Sequence, residues 1–141
     1  MRIVAVVLFV LALLVAILPQ FYTCQASGFF MEPMPGKIVA MKCLWTAHAE
    51  VALGIMLAVI AIGLWFFRER EARTILSILG IVGGVLMLIM VTGALFGIGV
   101  CAKPGMPCLV YMRPTILVLA PLIMVDSVVG LVLSLKTPNG G

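Results

Sequence analysis

Four long apolar segments make up most of this chain, and charge, proline or cysteine punctuates the stretches between them. They cover about residues 3–19, 44–67, 74–100 and 114–135. A helix that crosses the hydrocarbon of a bilayer needs roughly 20 residues at about 1.5 Å of rise each. The later three segments reach that length. The first is short, a difference that flanking residues or local thinning of the bilayer accommodates. None of the segments alternates with a period of two, as the strands of a membrane barrel would. Helices are therefore expected. The chain is 65% hydrophobic and 10% charged, against about half and about a quarter for a water-soluble domain. The bilayer is thus the expected surroundings, and 141 residues suffice for one domain, 1–141. The net charge of +4 is spread over the ends of the apolar segments, which suits membrane-interface anchors and not a nucleic-acid patch.

Arg2 precedes an apolar run, so the first segment could be read as a signal peptide. No Ala-x-Ala pattern follows it, and the run is long for such a leader. It is expected to remain as the first span. Four spans then place both termini on one side, with Arg2, Arg68, Arg70, Arg73 and Lys136. The opposite side holds Lys37, Lys42, Lys103 and Arg113. Three arginines in the tight turn at 68–73 tip the positive-inside rule towards cytoplasmic termini in the cell membrane.

The four cysteines fall into two loops on the opposite side. Met41-Lys42-Cys43-Leu44 returns as Met106-Pro107-Cys108-Leu109, preceded by Cys24 in one case and Cys101 in the other. The chain thus divides into two helical hairpins running in the same direction, with an extracytoplasmic cap that contains the cysteines. Four cysteines allow three disulfide connectivities. The simplest joins Cys24 to Cys43 and Cys101 to Cys108, and closing a loop of that size contributes roughly 2–3 kcal/mol. An extracytoplasmic face is where such bonds persist. Free thiols are the alternative, although no Cys-x-x-Cys occurs to suggest thioredoxin-like exchange.

Five of the ten methionines, Met31, Met34, Met41, Met106 and Met112, also fall in these loops. Thioether, thiolate and imidazole together favour Cu(I) and related soft ions. Met41, Cys43, His48, Met106 and Cys108 are the candidate ligands. Methionines that simply fill irregular gaps under a loop are the structural alternative, and it is preferred, so no cofactor is expected. The stretch 32–37, punctuated by proline and glycine, is expected to be irregular.

Ionisable residues inside a membrane are costly and mark candidate functional positions. Glu50 lies about two turns after Cys43 and shares its helix face. Arg113 has a comparable depth in the other hairpin, so a Glu50–Arg113 pair is expected to link the halves. Asp126 lies deeper, with no basic residue at its level; a bond to Ser127 or a group on a partner subunit would satisfy it. Gly80-x-x-x-Gly84 and Gly93-x-x-x-Gly97 are expected to let the third helix pack closely on a neighbour. That neighbour could be a helix of this chain, a second copy or a larger membrane subunit.

No catalytic constellation occurs, with one histidine and no phosphate-binding glycine loop, so an enzyme is not expected. Leu18-Pro19-Gln20-Phe21-Tyr22-Thr23-Cys24, Met41-Lys42-Cys43-Leu44-Trp45-Thr46-Ala47-His48-Ala49-Glu50, Cys101, Pro107-Cys108 and Arg113-Pro114 together resemble domain-of-unknown-function family 4418. The resemblance implies a small prokaryotic four-span membrane protein, often encoded near transporters of the ATP-binding-cassette type. The expectation is therefore an accessory subunit or partner of a larger membrane complex. A soft-metal or thiol-redox protein is the second reading.

Overall fold

In lipid a backbone has no water to bond, so a spanning segment must satisfy its N–H and C=O groups internally. The four apolar segments do so as helices. The computed structural model of the protein describes residues 2–23, 31–34, 37–39, 42–95, 97–100 and 105–136. Its elements are α1 (Arg2–Phe21), a short antiparallel pair β1 (Met31–Met34) and β2 (Lys37–Val39), α2 (Lys42–Phe66), α3 (Arg70–Thr92) and α4 (Arg113–Lys136). A π-helical turn, Cys108–Met112, leads into α4. All four helices are long and apolar enough to cross a membrane, and the chain is a multi-pass membrane protein in architecture.

α1 runs antiparallel to α2. Arg2 meets Trp65 at one end, and the Gln20 side-chain amide donates to the Ala47 carbonyl at the other. Between them, a Cβ on Gly54 would lie 3.0 Å from both the carbonyl oxygen of Ala12 and the amide nitrogen of Ala16. α3 and α4 are also antiparallel, joined along a seam of small and hydroxyl side chains. Thr74 and Ser134 hydroxyls are 3.1 Å apart. Gly130 faces Ser77, Gly80 faces Ser127, and Gly84 faces Met124 and the Ala120 carbonyl. Gly80 and Gly84 thus pack within the chain. Leu8, Leu57, Met87 and Ile123 bring one buried residue from each helix into the main core. Outward positions such as Ile3, Val59, Ile75 and Val125 are apolar and exposed, as a surface facing lipid requires.

Several expectations change. Pro19 sits inside α1 instead of ending it. It forgoes one backbone bond near the helix end, and the helix continues to Phe21. The stretch 32–37, expected to be irregular, takes in most of β1 and the first residue of β2, which pair Met31 with Val39 and Met34 with Lys37. The largest correction concerns the third span, which ends at Thr92 and not at 100. Gly93 closes it in the left-handed region, φ 71°, with its N–H donating to the Ile89 carbonyl. The chain then turns back, and the Gly99 N–H reaches the Met90 carbonyl at 2.9 Å. Gly97 lies so close to the Ile89 carbonyl that no side chain could fit. Gly93 and Gly97 are therefore residues of the helix stop, not of a helix-packing face.

The atoms that a Cβ on Gly54 would meet are two backbone atoms and the Cβ of Ala16, and none can swing aside. Gly54→Leu is expected to force α1 from α2 and cost about 1–3 kcal/mol, read as a lower thermal midpoint in detergent. Ile55→Leu, at the neighbouring exposed position, should leave the midpoint unchanged.

Candidate functional site

The buried face of α2 carries Cys43, Thr46, Ala47, Glu50 and Gly54, spaced by three and four residues as one helical stripe requires. Its first two turns meet the π-helical turn. Cys43, Ala47, Cys108 and Met112 form one buried cluster, against which Tyr22, Val100 and Met106 pack. The π-helical turn is closed by the Arg113 N–H donating to the Cys108 carbonyl. Tyr111, on its outer side, stacks on Tyr22 with ring centroids 5.4 Å apart. The cysteines of the two Met-x-Cys-Leu copies, Cys43 and Cys108, thus converge on one end of the bundle.

Thr46 ties this end together. Its hydroxyl is fully buried and donates to the Gly99 carbonyl at 2.6 Å. This bond links α2 to the segment that turns back after α3. Nothing in the apolar run 74–100 signals it, although the glycines at 93, 97 and 99 mark where the helix can stop.

One turn further along, Glu50 is completely buried, and neither carboxylate oxygen has a hydrogen-bond partner. A buried polar group of this kind is costly without compensation. The expected Glu50–Arg113 pair does not form. Arg113 is exposed while its neighbour Met112 and Ile116 one turn on are buried, so its side of α4 faces outward. A comparable count of residues from each cysteine does not determine the direction of a side chain around the helix.

Asp126 is half-buried on α4, and its Oδ2 atom is enclosed without a hydrogen-bond partner. The neighbouring Ser127 hydroxyl does not satisfy it; that hydroxyl lies in the α3–α4 seam against Gly80 and is itself without a partner. Asp126 is ten residues before Lys136 and thirteen after Arg113. At helical rise it lies roughly 15 Å from one and 20 Å from the other, near the middle of the span.

Of the proposed soft-metal ligands, Cys43, Cys108 and Met106 come together, with Met112 beside them. His48 is exposed and turned away from this cluster. Among the described residues no group of three His, Cys, Asp or Glu side chains could hold an ion, and no bond joins Cys43 to Cys108. Met41, Cys24 and Cys101 lie outside the described residues, and with them both expected disulfides.

Residues 3–133 match the family model described as a domain of unknown function, DUF4418. The chain belongs to that family. The matched span includes every residue of the site, from Cys24 through Glu50 and Cys108 to Asp126. No curated protein and no solved structure matches this DUF4418 chain.

Thr46→Val keeps the shape of the side chain and removes its donor. Leaving the Gly99 carbonyl unpaired in a buried site is expected to cost about 1–3 kcal/mol. Hydrogen exchange should then quicken at residues 97–100 and not along α1.

Proposed function

We propose that this DUF4418 protein is a non-catalytic subunit or partner of a larger membrane complex. The observation that carries this reading is Asp126. Its carboxyl group lies near the middle of a membrane-spanning helix, half-exposed at the bundle surface, with Oδ2 enclosed and without a hydrogen-bond partner. Such a group is expensive against lipid, and a donor or cation on a neighbouring chain compensates it. The apolar outer face of α4, with Leu122, Val125 and Val129 exposed around Asp126, supplies a surface for packing against that chain. A transporter of the ATP-binding-cassette type is the partner favoured by the resemblance to the family.

The orientation belongs to the same proposal. Arg2, Arg68 and Arg73 gather at one end of the bundle, which the positive-inside rule assigns to the cytoplasm together with both termini. The Cys43–Cys108 end then faces outward. Disulfides from Cys24 to Cys43 and from Cys101 to Cys108 would staple that outer cap, one per hairpin.

Purification in mild detergent is expected to recover a larger membrane protein in stoichiometric amount. Asp126→Leu should release it, and Asp126→Asn, which retains hydrogen-bonding capacity, should weaken the complex less. A complex that survives Asp126→Leu intact would remove Asp126 from the interface.

A specific observation supports a second reading, soft-metal or thiol chemistry. The thiols of Cys43 and Cys108 and the thioether of Met112 share one buried cluster at the outer end, and such ligands suit Cu(I). Mass spectrometry without reductant separates the readings. Two intact disulfides are expected from the stapled cap. Four thiols with copper in elemental analysis would replace that cap with a metal site.

A further inference from the structure

The end of the bundle opposite the cysteines carries a basic pocket of about 200 Å³, lined by Arg2, Arg68 and Arg73 together with Leu64, Trp65 and Phe66. No carboxylate is among the lining residues. Local contacts hold two of its three arginines. The Arg2 guanidinium lies over the Trp65 ring, 5.8 Å from its centroid, as a cation on an aromatic face does. Arg73 donates from Nε to the Phe67 carbonyl at 3.0 Å. A guanidinium carries five N–H donors in a planar fork, so this bond leaves its terminal N–H groups for another acceptor.

Trp65 and Phe66 also line a second cavity, a groove of about 350 Å³ between α1 and α2. Ala5 and Ala61 form its floor, each almost without exposed surface, while Phe9 and Ile62 form part of its walls and are exposed. The groove exists because small residues at these positions bring α1 and α2 together and larger neighbours stand out on either side. The apolar groove on the lipid-facing surface therefore adjoins, at Trp65 and Phe66, a three-arginine pocket at the helix ends.

We propose that this composite site binds one anionic phospholipid, its acyl chain along the groove and its phosphate among Arg2, Arg68 and Arg73. The charge pattern selects the occupant. Three guanidiniums without a lining carboxylate favour a net negative headgroup over a zwitterionic one, and forked N–H donors match phosphate oxygens. Basic pockets between spanning helices recognise anionic headgroups on the cytoplasmic side, and tryptophan sits readily at headgroup level. The site is independent of Asp126 and of the cysteine cluster, so it stands or falls apart from the subunit reading.

Trp65 provides the readout. The chain has two tryptophans, and Trp45→Phe leaves Trp65 as the sole indole. This protein is reconstituted with brominated phosphatidylglycerol or brominated phosphatidylcholine of identical acyl chains, each titrated into unbrominated phosphatidylcholine. Quenching of Trp65 is expected at a markedly lower mole fraction of the anionic lipid. Arg68→Gln with Arg73→Gln should reduce that preference roughly tenfold, with helical circular dichroism retained. Arg70→Gln with Lys136→Gln removes the same charge outside the pocket and should keep the preference. Equal quenching by both lipids in the parent protein would overturn the proposal. So would equal loss in the two double variants, which would reduce the effect to general surface charge. Relief of quenching by millimolar inorganic phosphate would show that the anion binds without its chain and would overturn the groove's part.

Discussion

Lipid removes the force that holds helices together in water. Its tails are as apolar as leucine, so two membrane helices gain little from hiding apolar side chains in each other. They associate through close van der Waals contact and a few polar bonds. The bundle depends on that closeness. Gly54 admits the backbone of α1 at Ala12 and Ala16, and Gly80, Gly84 and Gly130 admit α4 and α3 to one another. At several of these contacts the facing side chains are small or hydroxylated, while larger residues such as Leu8, Leu57, Met87 and Ile123 fill the core between the helices.

Close packing also explains why the few polar groups inside the bundle matter. Thr74 with Ser134 and Thr46 with Gly99 use short side chains that reach a partner without separating the helices. Glu50 and Asp126 are longer and lack that economy. The first is sealed among residues of its own chain and the second lies at the edge of the bundle. The two acids therefore present different physical problems, although both interrupt apolar helices in the same way. An interior acid is answered from within the chain or by something that enters it. A peripheral acid is answered by what lies alongside.

The four spans were legible because apolar length reports membrane crossing directly. α2 begins and ends within two residues of the expected bounds, and α4 within one. Around each helix the pattern was much harder to read. A segment such as α4 is apolar on its lipid side and its protein side alike, so no amphipathic stripe marks the buried face. That is why the outward direction of Arg113 was not legible. The end of α3 was obscured for a related reason. Residues 93–100 remain apolar after the helix has stopped, so hydropathy runs on through a change of backbone conformation. The cysteine repeat carried more spatial information than any periodicity, since Cys43 and Cys108 do share one cluster. The three-arginine pocket was visible only as a charged turn, because Arg2 joins it from the far end of α1 in sequence.

The turn after α3 has a mechanical consequence. Gly99 accepts from Thr46 while its own N–H holds the end of α3. One peptide segment is thus clamped to two helices at once, and it precedes Cys101 by two residues in the sequence. Thr46 in turn lies one helical turn from Glu50. The segment 97–100 is therefore geared to the interior of the bundle. A displacement of that segment large enough to move Gly99 must either carry α2 with it or release the clamp, and in both cases the surroundings of a sealed carboxyl group change.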